Sequence, residues 1–116
     1  MSEPRLKARI WVQAQIRVCT VNLIPIAVTH TGDADAGTVL LRLLGRDGRS
    51  RLVRRATTAD DQLAWMEVGG AGAVAAAEAD AYVAREVARD RDLWVLEIED
   101  FDGRYQLDAP IAQRRP

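Results

Sequence analysis

Apolar and polar residues alternate from Arg5 to Val18, with Leu6, Ala8, Ile10, Val12, Ala14, Ile16 and Val18 set against Arg5, Lys7, Arg9, Trp11, Gln13, Gln15 and Arg17. Alternation of this kind is the mark of a strand. The same stretch also holds Trp11, Ala14, Val18 and Val21 at 3,4,3 spacing, a helical stripe, and Ser2 to Pro4 resemble a cap followed by a proline in the first turn. Fourteen residues exceed the usual strand by more than twofold, so the segment is expected to be a helix. Pro25 ends it, because the residue before a proline is pushed out of helical geometry.

Short apolar runs follow. Leu23 or Ile24 to His30, Thr38 to Leu44, Ser50 to Arg55 and Leu63 to Val68 read as strands. Gly32-Asp33-Ala34-Asp35-Ala36-Gly37 has the composition of a turn, and Asp47-Gly48 signals a tight hairpin of type I′. After Gly69-Gly70-Ala71-Gly72 the alanine-rich stretch 73–89 predicts a second helix, with Val83 and Val87 inward beside Ala76 and Ala79 or Asp80. Leu93 to Glu99 predicts a strand with Trp94, Leu96 and Ile98 on one face and Val95, Glu97 and Glu99 on the other. Asp102-Gly103 predicts a second hairpin leading to a short edge strand at Tyr105 to Leu107.

The expected fold is therefore α+β: an antiparallel sheet of four to six strands with two helices packed on one face, in the order α-β-β-β-β-α-β-β. A chain of 116 residues fits one domain, assigned to 1–108, with 109–116 as a C-terminal tail. One cysteine, Cys19, precludes an intrachain disulfide, and one histidine, His30, leaves a Cys/His zinc site short of ligands. Neither a leader nor a membrane-spanning segment is evident, and a reducing cytoplasm is the expected compartment.

The net charge of -1 conceals a polarity: residues 1–55 carry ten bases and four acids, whereas residues 56–116 carry six bases and thirteen acids. Two explanations compete. A basic patch would seek nucleic acid or an acidic partner, whereas interleaved halves would neutralise one another within the sheet, as opposed charges on neighbouring strands favour.

Motifs of catalysis fail for want of particular residues. Asp33-Ala34-Asp35-Ala36-Gly37 begins like a calcium loop, but its fifth position is Gly37 and its twelfth Leu44, so a turn with Asp side chains bonded to backbone amides is expected. The glycines at 69, 70 and 72 lack a following Gly-Lys-Ser/Thr, and His30 has no nucleophile elbow for company. Glu97, Glu99, Asp100 and Asp102 have no converging histidine, and Cys19 reads as a small core residue. No catalytic, cofactor or metal residue is assigned.

Two surfaces remain. The sheet face away from the helices, with Arg42, Trp65, Val95, Glu97 and Glu99, is a half-apolar patch fringed by charge, the pattern of a homodimer or protein contact. The alternative is nucleic-acid binding through the hairpin 42–55, with Arg46, Arg49, Arg51 and Arg54 on phosphates. A third is a small-ligand site or enzyme built around Asp33, Asp35 and the acidic strand.

Arg5-Leu6-Lys7, Ile10-Trp11-Val12-Gln13-Ala14, the 32–37 turn, Asp92 to Asp100 and Asp102-Gly103-Arg104 together resemble a family of short alphaproteobacterial proteins, domain of unknown function 1491, over about residues 5 to 108. The resemblance implies a stand-alone bacterial cytoplasmic domain and no catalytic residue. Where the family has a glycine near the end of the first helix this chain has Asn22, a residue that tolerates the left-handed cap.

Overall fold

The computed structural model describes residues 7–112, and the Ser2 to Pro4 cap expected above lies outside them. The first segment is a helix, α1 (Ala8–Val21). Strands β1 (Ile26–His30), β2 (Val39–Leu44), β3 (Ser50–Thr57) and β4 (Leu63–Val68) follow, then helix α2 (Ala76–Arg89) and strands β5 (Trp94–Glu99) and β6 (Ile111–Ala112). The chain is α+β, but the six-stranded sheet, in the order β1-β5-β2-β3-β4-β6, is mixed rather than antiparallel. β5 inserts between β1 and β2 and runs parallel to β2, pairing Leu41 with Leu96 and Leu43 with Ile98. At the far edge β6 runs parallel to β4.

The parallel centre explains a second correction, the placement of the helices. Val39, Leu40 and Leu41 on β2 are all buried, as are Trp94, Val95 and Leu96 on β5, so both faces of this pair need cover. On one face Trp11, Val12 and Cys19 of α1 meet Leu41, Val53, Trp65, Leu96 and Ile98. On the other, Ala79 of α2 meets Leu40, Leu52 and Val95, with Tyr82, Val83 and Val87 packed around them. The helices lie on opposite faces.

The turns differ as well. Between β2 and β3 the loop runs from Gly45 to Arg49, closed by a 2.8 Å bond from the Gly45 N–H to the Arg49 carbonyl. Positive φ occurs at Gly48 (84°) and not at Asp47, so the turn is not type I′. Asp102-Gly103 does turn the chain, but no strand forms at 105–107. The segment instead crosses beneath α1 and pairs as β6 with the β4 edge, where the Trp65 N–H donates to the Pro110 carbonyl at 2.9 Å. Gly32 belongs to the 32–37 turn because a Cβ there would stand 2.1 Å from the Asp92 carbonyl oxygen. Asp33 Oδ2 accepts the amides of Asp35 and Ala36, the backbone-bonded turn expected.

With Val95 sealed between the sheet and α2, Val95→Asp should bury a carboxylate without a partner and cost at least about 3 kcal/mol. Urea unfolding should show that loss, and a variant as stable as wild type would contradict the second core.

Candidate functional site at one end of the sheet

The sheet's topology brings three connections together. Because β2 and β5 are parallel, their last residues, Leu44 and Glu99, are neighbours, and the Asp100 N–H donates to the Leu44 carbonyl at 3.0 Å. β1 runs antiparallel to β5, so its start lies there too, with the Glu99 N–H on the Pro25 carbonyl at 2.9 Å. The α1–β1 turn, the β2–β3 loop and the turn after β5 therefore enclose one open cleft of about 240 Å³.

It is lined by the apolar Leu23, Ile24, Pro25 and Phe101 and by the charged Arg46, Glu99, Asp100, Asp102 and Arg104. Arg46 Nη2 stands 2.6 Å from Asp102 Oδ1 and its guanidinium lies 5.8 Å from the Phe101 ring centroid. Arg104 donates to the Asn22 carbonyl at 2.9 Å, a cation at the negative end of α1. A lining that mixes apolar groups with charges of both signs suits contact with another macromolecule.

The way α1 ends decides what this cleft presents. The Ile24 N–H bonds the Cys19 carbonyl at 2.8 Å and the Leu23 N–H bonds that of Thr20 at 3.2 Å, the two bonds of a Schellman cap. The left-handed residue such a cap requires is Leu23, with φ of 58°, and not Asn22, whose φ is -91°. Ile24 and Cys19 close the apolar contact beneath. Leu23 is left 84% exposed.

The sequence-derived site residues fall elsewhere. Trp65 and Val95 lie inside the two cores, on opposite faces of the sheet, so neither is a contact residue of the folded chain. Arg42 is largely covered, with Nε on Ser50 Oγ at 3.0 Å and Nη1 on Asp80 of α2 at 2.5 Å. Glu97 and Glu99 are half-buried on the α2 face of β5, beyond the helix. The five do not form one open patch, because α2 occupies the middle of the face they share in part.

The arginines of the hairpin are paired across the two halves of the chain. Arg46 meets Asp102, Arg51 meets Glu67 at 2.6 Å, and Arg54 meets Glu86 at 3.4 Å and Asp90 at 3.5 Å. Arg42 with Asp80 and Arg55 with Asp108 repeat the pattern. Arg49 lies exposed in the loop, its N–H on Asp47 Oδ1. Bases of the first half neutralise acids of the second.

Missed by sequence reasoning were Leu23 and the outer flank of α1. The 3,4,3 stripe counted Ala14, Val18 and Val21 as core with Trp11, yet burial selects Ala8, Trp11, Val12 and Cys19, leaving Val18 and Val21 to solvent. The available signal was the overlap of two apolar stripes on a 14-residue helix, of which the core takes one. Cys19 is buried, and burial first, then the Asp100 charge, pushes its thiol pKa up. Tyr105 is raised more strongly, by burial above all, and its hydroxyl donates to Gln15 on α1 at 2.7 Å.

The architecture defines a class: a two-faced α+β domain with a parallel centre and a loop-built cleft of mixed apolar and charged lining, in which the buried titratable groups support the fold. Within that class the chain belongs to the DUF1491 family, proteins of unknown function, whose model matches residues 6–108. A crystal structure of a DUF1491 family protein from Caulobacter crescentus CB15 is similar at 38% identity and a TM-score of 0.83, covering 93% of this chain and all of that one. An NMR structure of a DUF1491 family protein from the same organism gives 37%, 0.81, 96% and 100%. The solution structure of protein Atu0922 from A. tumefaciens gives 34%, 0.68, 83% and 86%. No curated protein matches the chain.

The raised Tyr105 and Cys19 pKa values fix the sign of an alkaline effect. Both groups are held protonated and neutral in the fold, so their contribution is complete below their ordinary values, about 8.5 for a thiol and about 10 for a phenol, and is lost as pH rises through the folded ones. Stability in urea should fall between about pH 9 and pH 12, and a flat profile would contradict the burial of both groups.

Proposed function

We propose that this chain is a non-enzymatic interaction or regulatory domain of the bacterial cytoplasm, and that its contact surface is the cleft end of the sheet with the adjoining flank of α1. A second copy of the chain is the partner that this reading favours. The observation that carries it is Leu23.

A left-handed backbone costs a non-glycine residue roughly 1 kcal/mol, and glycine or asparagine is the usual solution at a helix cap. The other described non-glycine residue with positive φ is Asp61, a type that tolerates it. Leu23 combines a backbone cost, offset by the two cap bonds and the burial of Ile24, with a large apolar side chain held in water, and the second is not repaid within the isolated chain. Strain kept at an exposed position is a reason to look for function there.

The surroundings are consistent with such a contact. Val21 is 75% exposed, Val18 adjoins it one turn earlier, and Phe101 is 42% exposed across the cleft. Phe101 lines the cleft with Leu23, Val18 and Val21 add exposed apolar area on the last turn of α1, and Arg46, Asp102 and Arg104 supply both signs of charge. A second copy could exchange the in-chain pair of Arg46 and Asp102 for the same pair across the contact. Pairing of the hairpin arginines with acids favours a protein contact over phosphate binding, since a guanidinium already held by a carboxylate must give up that pair to meet a phosphate. Arg42, Glu97 and Glu99, the outer charged residues of the α2 face, contribute at most a secondary rim.

Sedimentation equilibrium of wild type, Leu23→Gly and Val21→Lys tests the proposal. Glycine relieves the strained cap and lysine suits a helix C-terminus, so both variants should keep or raise monomer stability, by about 0.5–1 kcal/mol for glycine. Both should weaken association at least tenfold. A wild type that stays monomeric at millimolar concentration, or variants that associate as wild type does, would overturn it.

A further inference from the structure

After the cleft the chain runs from Tyr105 to Ala112 as a strap with almost no regular structure, and its one ladder is the two-residue β6. In the middle of the strap stands Asp108. The indole N–H of Trp11 donates to its Oδ2 at 2.8 Å and the indole N–H of Trp65 donates to its Oδ1 at 2.9 Å. Arg55 Nη2 lies 3.5 Å from Oδ2, and the same guanidinium lies 4.9 Å from the Trp11 ring centroid and 5.7 Å from that of Trp65.

Donors and acceptor have different footing. Trp11, Arg55 and Trp65 come from α1, β3 and β4, and both indoles belong to the core beneath α1. Their rings are 5.6 Å apart and tilted by 47°, which aims two N–H groups at one point. An indole N–H can only donate, and a buried donor without an acceptor is costly, so this corner demands an anion or a strong acceptor. The carboxylate that meets the demand is on the strap, where Asp108 retains 36% of its side-chain exposure. The donors stand on three regular elements, whereas the acceptor stands on a strap held by a two-residue ladder, by Tyr105 in the core and by Leu107, Ala109 and Ile111 packed against it.

We propose that Trp11, Arg55 and Trp65 form a carboxylate-binding site, filled in this structure by the chain's own Asp108, and that the strap is a displaceable latch. The ligand class is the side-chain carboxylate of an extended peptide. A peptide that replaces the strap takes the carboxylate site through an aspartate and the β4 edge through its backbone, as Asp108 and Pro110 do in cis. Charge-assisted hydrogen bonds, stronger than neutral ones, make the carboxylate the discriminating group. This site is independent of the cleft, since its three donors do not line it.

Full-length Asp108→Ala vacates the site while leaving the donors. The probe is the synthetic strap, Tyr-Gln-Leu-Asp-Ala-Pro-Ile-Ala, followed through tryptophan fluorescence, with the same peptide bearing Asn for Asp as control. Saturable binding to Asp108→Ala, at least about tenfold tighter for the Asp peptide than for the Asn peptide, is expected. Wild type should bind the Asp peptide at least about tenfold more weakly than the variant does, because the site is filled in cis. A folded Asp108→Ala that shows no preference between the peptides overturns the proposal. Should that variant fail to fold, hydrogen exchange of wild type decides: the Trp65 amide, bonded to Pro110, should exchange at least tenfold faster than the amides of β3. Exchange of both at one common rate, by global unfolding alone, would show that the strap is not a latch and overturn the proposal equally.

Discussion

The parallel pairing of β2 with β5 is the constraint from which the rest of the molecule follows. Both strands are buried on both faces over their first three residues, and an apolar strand pair of that kind is stable only between two layers. That forces α1 and α2 to opposite faces. It also aligns the C-terminal ends of the two strands, so the connections after Leu44 and Glu99 leave the sheet side by side. An antiparallel neighbour would have sent those loops to opposite ends, and the cleft would not exist. Entry of β5 between β1 and β2 then brings Pro25 to the same end and completes the wall.

Charge is distributed around this frame in a way that binds the halves of the chain to each other. Arg42 and Arg54 reach α2, Arg51 reaches β4, Arg46 reaches the turn after β5 and Arg55 reaches the strap. Each link spans a base of the first half and an acid of the second. An exposed pair such as Arg46 with Asp102 stabilises little by itself, and its main effect is to fix which element lies beside which. More covered pairs differ: Glu86 lies at the margin of the α2 core and would be costly without the Arg54 guanidinium.

Element existence was legible in the sequence because period and punctuation agreed. Leu63–Val68 was read to its boundaries, and the helix in the first segment was separable from a strand by length alone. Direction and layering were less legible. The alternation of Trp94, Leu96 and Ile98 against Glu97 and Glu99 suggests one wet face, but Leu93-Trp94-Val95-Leu96 is also a continuous apolar run, as is Val39-Leu40-Leu41. Continuous runs on two strands were the sign of a parallel pair buried on both sides, and each run taken singly hides it. The patch assigned to Trp65 and Val95 followed from that one misjudged layer.

The cleft and the strap were illegible for a different reason. Leu23 looks unexceptional in a chain rich in leucine, and only its backbone angle separates it from the rest; the expected left-handed residue, Asn22, satisfies every local preference and is bypassed by one position. The shift is set by packing. With Leu23 as the left-handed residue, Ile24 reaches Cys19 and enters the core, whereas a cap at Asn22 would place Leu23 there and turn Ile24 outward. Asp108 is likewise ordinary as a lone acid near a tail, and its role appears only when α1, β3 and β4 converge on it from separations of 97, 53 and 43 residues. What local sequence encodes is the tendency of each element. What the tertiary contacts add is the identity of the residues left over, and in this chain those are a strained leucine that the fold does not bury and a carboxylate that it holds by two indoles.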